Sequence, residues 1–246
     1  MNADSPALEL RAVTQRYPRW LGLAHDDVLR GIDLTLARGH VLGLAGPNGS
    51  GKSTLLRIVA GIDRASSGDV RVLGGSPLDA GVRRRVGYLP EESPFPREMS
   101  ARTCLDLLGS LSDMPRAERR RECERLLELV GLRERARTAL GRYSRGMLRR
   151  FGLAQAWLAR PELVLLDEPT AGLDAPGFEV LAALLAEARA RGASVVVASH
   201  VVADMRETCD DMAVIQGGVI AHRGAPRDVL AERTLRDLYR TTRTSR

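Results

Sequence analysis

The chain has 246 residues, 28% of them charged, and a formal net charge of +6, a size that suits one large domain or a domain with a subdomain around a sizeable core. No apolar run approaches the roughly 18 residues that a membrane helix needs, and the first residues show no secretory pattern, so a soluble, cytosolic protein is expected unless a partner tethers it. Cys104, Cys123 and Cys209 are odd in number with no C-x-x-C pair, which excludes a disulfide framework or a thiolate metal site and leaves reduced, packed thiols.

Residues 8–36 carry strand signals. Ile32, Leu34 and Leu36 alternate with Asp33 and Thr35, the period-two pattern of a half-buried, antiparallel strand. A short apolar strand, His40 to Ala45, then runs into Gly46-Pro47-Asn48-Gly49-Ser50-Gly51-Lys52-Ser53-Thr54. This run satisfies every required position of the phosphate-binding loop G-x-x-x-x-G-K-[ST]. Its glycines allow successive N–H groups to turn inward as an anion nest, and a helix from Ser53 to Ala60 points its N-terminal dipole at the phosphates. Lys52 is the single lysine beside 36 arginines. A compact ammonium tucks between β- and γ-phosphates, where a planar guanidinium fork is too wide. Ser53 is placed to give its hydroxyl to Mg²⁺.

Val70 and Val72 around Arg71 suggest a further strand. Short apolar runs at Val86–Leu89, Leu163–Leu166, Ser194–Ala198 and Met212–Ile215 predict central strands buried on both faces. Helical patterns cover Ala101–Leu111, Pro115–Val130, Gly146–Ala159 and Pro176–Arg191, with Pro115 opening and Gly131 closing the second of these. Between Glu91 and Arg160 no strand is expected, so a helical insertion of about residues 92–160 separates two sheet strands. Met114 to Arg150 holds twelve arginines against five glutamates. Such a basic stretch suits nucleic acid, anionic lipid or plain water; the scarcity of aromatics argues against base stacking and for a solvated helical face.

Leu163-Val164-Leu165-Leu166-Asp167-Glu168-Pro169 ends a buried strand in two carboxylates, at the edge where open α/β sheets bind ligands. In company with a complete phosphate loop, Asp167 reads as a Mg²⁺ ligand and Glu168 as the general base for an attacking water.

These motifs, in this order and spacing, resemble the ATP-binding cassette (ABC) ATPases across essentially the whole chain. Tyr143-Ser144-Arg145-Gly146-Met147 resembles the family signature, Ala171-Gly172-Leu173-Asp174 the D-loop, and His200 after Val195-Val196-Val197-Ala198-Ser199 the switch histidine. Tyr17 falls where the family sets an aromatic ring against adenine, with Trp20 competing for that duty. The resemblance implies a P-loop α/β fold with a mostly parallel core sheet, an antiparallel β subdomain and a helical subdomain, all in a single nucleotide-binding domain of residues 1–246. It implies two cassettes meeting head to tail around two ATP molecules. In the in-trans signature of Ser144, Arg145, Gly146 and Met147, Ser144 and the backbone at Gly146 then bind the γ-phosphate, His200 contacts it in cis, and Asp174 crosses the interface. The chain departs from the family at Arg145, where a glycine is usual, at Met147, where glutamine is usual, and at Glu91, which follows Val86-Gly87-Tyr88-Leu89-Pro90 where glutamine is usual. Glu91 can still ligate Mg²⁺ or its water. The signature variant resembles the branch that exports drugs, lipids and polysaccharides.

The resulting expectation is an ATP-hydrolysing subunit, dependent on ATP and Mg²⁺. It pairs as a homodimer or with a second cassette, and sits on the cytoplasmic face of the cell membrane through integral permease subunits. Pro94-Phe95-Pro96 reads either as an exposed ridge for such a subunit or as a packed loop. A soluble ABC ATPase acting on nucleic acid or ribosomes is the competing reading. It is disfavoured because the chain has one cassette and no sustained heptads, and no nucleic-acid partner is expected.

Overall fold

The computed structural model describes residues 5–18, 25–201 and 205–231. The alternating pattern near the N-terminus becomes β1 (Leu8–Pro18) and β2 (His25–Leu36), and with β4 (Ser67–Val72) these form a three-stranded antiparallel sheet in the order β2-β1-β4. The apolar runs become β3 (Val41–Ala45), β5 (Val86–Leu89), β6 (Leu163–Asp167), β7 (Ser194–Ser199) and β8 (Asp211–Gln216). All five pair in parallel, and β9 (Val219–Gly224) adds an antiparallel edge, in the order β5-β6-β7-β3-β8-β9.

The helices follow the predicted ranges to within two residues: α1 (Lys52–Val59), α3 (Ala101–Leu111), α4 (Arg116–Leu129), α5 (Arg145–Trp157) and α6 (Ala175–Ala190). Two short ones, α2 (Ala80–Arg83) and α7 (Pro226–Ala231), carry too few residues for a periodic signal. Only helices and short 3-10 turns lie between β5 and β6 among the labelled elements.

Side chains alternate across the parallel strands, and both faces are covered. Leu42, Leu44, Leu163, Leu165, Val196 and Ile215 pack with α1 and the antiparallel sheet. Val41, Val164, Leu166, Val195, Met212 and Val214 pack on the other side with Phe151 and Trp157 of α5 and Leu184 of α6. The same cluster runs on into α3 and α4 through Leu105, Leu126 and Leu127, so the helical insertion shares the sheet's core. Cys104, Cys123 and Cys209 are free and buried within it, as expected.

The basic stretch from Met114 to Arg150 is less uniform than a solvated face. Arg116, Arg120, Arg121, Arg133, Arg135, Arg137 and Arg142 are exposed, but Arg149 is buried, and Arg125 bridges buried Glu122 to Glu187 on α6. In Pro94-Phe95-Pro96 the Phe95 ring packs edge-on against Phe151, with centroids 4.8 Å apart, while Pro94 and Pro96 stay exposed.

Candidate nucleotide-binding site

Four neighbouring parallel strands, β5, β6, β7 and β3, end at one edge, and each releases a motif there. The pairings Ala45↔Ser199, Asp167↔Ala198 and Leu89↔Leu166 put the phosphate loop, His200, the Asp167–Glu168 pair and Glu91 side by side. Strands lie only about 4.8 Å apart, so four segments distant in sequence meet at one edge. Three of them border a cavity of about 430 Å³ lined by Asn48, Gly49, Gly51, Lys52, Ser53, Thr54, Glu91 and Glu168, together with Val28 from β2.

The loop's glycines are required by geometry at two places. Gly51 has φ of 108°, and a Cβ there would stand 2.7 Å from Leu29. A Cβ on Gly46 would stand 2.4 Å from the Ile215 carbonyl. Lys52 follows as the first residue of α1 and is 6% exposed. Its ammonium donates to the carbonyls of Gly46 (2.8 Å) and Pro47 (3.3 Å) and stands 3.5 Å from Glu168 Oε1.

Glu168 has φ of +47°, a left-handed conformation that costs a non-glycine residue about 1–3 kcal/mol. The turn directs its carboxylate across the end of β7. Oε2 accepts from the Ser199 hydroxyl at 3.0 Å and lies 2.9 Å from His200 Nδ1, while Oε1 accepts from the His200 N–H at 3.0 Å. Asp167 is 1% exposed. Burial raises its carboxyl above the usual range, a hydrogen bond with Ser53 lowers it, and the charges of Glu91 and Glu168 raise it again. Asp167 Oδ1 is buried and has no hydrogen-bond partner. Tyr88 of β5 also feels this cluster: burial and the Asp167 charge push its hydroxyl up to about 12.

The signature segment sits at the start of α5 and contributes no residue to the cavity beside the phosphate loop. Ser144 is the N-cap, accepting from the Met147 N–H at 3.2 Å, and Ser144 and Arg145 are exposed. Asp174 caps α6 by accepting from the Gly177 N–H and pairs with Arg150 at 3.3 Å. In this chain its carboxylate is therefore engaged locally, beside Gly146, whose Cβ position lies 2.9 Å from Asp174 Oδ2.

Tyr17 is 38% exposed; its hydroxyl donates to Asp63 at 3.2 Å and also interacts with Thr54, so its ring lies at the margin of the loop. Trp20 lies outside the described residues. Sequence reasoning missed Val28, Ser199 and Arg149. Ser199 was legible as the residue before His200; Val28 and Arg149 carried no local signal.

The family model described as ABC transporter matches residues 29–171, more than half of the chain. An ABC transporter ATP-binding protein of Synechocystis is 38% identical over 83% of this chain and 58% of its own length. The chain thus spans less than two-thirds of the first curated relatives it matches. It is also 31% identical to the Nod factor export ATP-binding protein I of Rhizobium meliloti, over 92% of this chain and 67% of that one. To the methionine import ATP-binding protein MetN of Nocardia farcinica it is 33% identical, over 93% and 70%. Among solved structures, the ATP-binding subunit of an ABC transporter superposes with a TM-score of 0.84 at 26% identity, covering 94% of this chain and 97% of the other. A dimeric post-hydrolysis cassette bound to ADP and Pi gives 0.82 at 25% identity, over 89% and 99%. Motif order, shared fold and relatives above 30% identity agree: this chain belongs to the ABC transporter family, as an ATP-binding domain.

Proposed function

We propose that the chain hydrolyses ATP with Mg²⁺ as the energy-coupling subunit of an ABC transporter, and that the transporter is an exporter. The observation that carries the hydrolytic reading is the convergence of Lys52, Asp167, Glu168 and His200 at one sheet edge beside the phosphate loop. Lys52 supplies a buried positive charge where the triphosphate enters, and its contacts with Gly46 and Pro47 hold it in the loop. Glu168 takes the proton of the attacking water. Ser199 and His200 fix its carboxylate, so it needs little reorganisation before reaction.

The residues present fit Mg²⁺. Asp167 offers a buried oxygen without a protein partner, Ser53 offers a hydroxyl next to it, and Glu91 lines the same cavity. No cluster of three or more His, Cys, Asp or Glu side chains is arranged for a metal among the described residues. Mg²⁺ does not require one, because it keeps waters and phosphate oxygens in its shell and takes one or two carboxylates. When bound it supplies neutralisation of the phosphate charge.

The exposed N-terminus of α5, with Ser144 and Arg145 turned to solvent, supports a second cassette completing each site in trans. The pairing is with another copy or a related subunit. In this reading the membrane-crossing part of the transporter is a permease subunit, with this chain on its cytoplasmic face; no helix among the described residues is long and apolar enough to cross a membrane. The exporter direction rests on the signature variant at Arg145 and Met147; the named relatives include both directions. Glu168→Gln tests the core of the reading. Turnover should fall roughly 10²–10⁴-fold with ATP binding retained. Turnover at the parent level would reject Glu168 as the base.

A further inference from the structure

Arg149 is 7% exposed and lies one turn inside α5. A guanidinium has five N–H donors, and here five backbone carbonyls meet them. Nη1 donates to Pro90 (2.7 Å) and Glu91 (3.0 Å), Nη2 to Asp167 and Glu168 (both 2.6 Å), and Nε to Pro169 (3.3 Å). No carboxylate oxygen is among its hydrogen-bond partners, although Asp167, Glu91 and Glu168 are the charges that favour its ionised form against burial. The side chain therefore gathers the segments leaving β5 and β6, which carry all three carboxylates of the site. It anchors them to the helix whose first turn is the signature segment.

We propose that Arg149 is a positioning residue for hydrolysis: it sets Glu168 and Glu91 through their backbone and ties both to α5. The proposal rests on the reading of Glu168 as the general base. Lysine has the same charge but three donors, so it cannot serve five acceptors in a fork. The left-handed backbone at Glu168 gives the contact a purpose, since a strained conformation persists only where its surroundings over-determine it.

The test is a double-mutant cycle with Arg149→Lys and Glu168→Gln, read as kcat and KM for ATP. Residues acting through one another are non-additive. Arg149→Lys should lower kcat by about 10-fold with KM for ATP within about twofold. It should lower the residual turnover of Glu168→Gln by less than about twofold. An unchanged kcat, an effect confined to KM, or an equal loss in both backgrounds overturns the proposal; so does a lowered Tm with normal kcat below the transition. If Arg149→Lys does not fold, amide exchange of the parent protein in rising urea decides instead. The segments around Glu91 and Glu168 should then open together with α5, and separate opening overturns the proposal. Full turnover by Glu168→Gln alone would reject the general-base reading and leave the exchange experiment to judge Arg149.

Discussion

Glu91 is the residue whose chemistry differs most from what the resemblance led one to expect. A third carboxylate faces the cavity beside Asp167 and Glu168, and its charge helps to raise the Asp167 carboxyl, although Glu91 itself is exposed. Solvent screens much of that repulsion, and a divalent cation cancels the remainder. A carboxylate beside the cation favours its binding, so Glu91→Gln should shift the Mg²⁺ concentration for half-maximal turnover upward by about two- to fivefold, the range of a partly solvated charge interaction. Identical Mg²⁺ titrations of parent and variant would remove this role. Lys52 was conspicuous in the sequence because arginine fills every other basic position. Arg149 was hidden for the opposite reason, as one of twelve arginines in a short basic stretch, and only its burial against five carbonyls distinguishes it.

The elements that position the site were readable where their periodicity was strong. β3, β6 and β7 are continuous apolar runs because both faces of the sheet are covered, and their burial is complete along each strand. β9 escaped notice because its exposure alternates between partial and full, leaving no apolar face to detect. At the opposite edge of the sheet, Glu162 just before β6 receives Arg85 in a bidentate pair (2.6 and 2.7 Å) and Arg38 at 3.1 Å. It ties together the chain just before β3, β5 and β6. The Arg85 hydrogen bonds hold the Glu162 carboxyl below its usual value. A depressed carboxylate adds stability above its unfolded pKa of about 4.3 and loses it as pH falls through the folded value. Glu162→Gln should lower stability at pH 7 by on the order of 0.5–1 kcal/mol, since the side chain is 45% exposed. The deficit in Tm against the parent should shrink below about pH 4.5 and vanish in stronger acid. A deficit independent of pH would assign the effect to packing.

For the whole molecule, the decisive feature is that the signature segment and the phosphate loop belong to different regions of the chain. The phosphate loop opens α1 on the sheet, whereas Ser144 opens α5 of the helical insertion and stays exposed. On the proposed reading, a site that needs both is completed by a second cassette. Specific ATPase activity should therefore rise with protein concentration in the dilute range. Glu168→Gln with ATP and Mg²⁺ should sediment as a dimer. A flat concentration dependence together with a strictly monomeric variant would exclude sites shared between subunits.

Local order and short-range spacing were determined by the sequence alone: the phosphate loop, the buried strands, the helices and the two carboxylates after Leu166 each depend on residues within one element. The alignment of four strand ends at one edge of the sheet came from the tertiary structure, because sheet order β5-β6-β7-β3 does not follow chain order. So did the engagement of Glu168 by Ser199 and His200 and the anchoring by Arg149, since these contacts join atoms 18 to 59 residues apart. No periodicity encodes such contacts; packing of the two core faces brings them together.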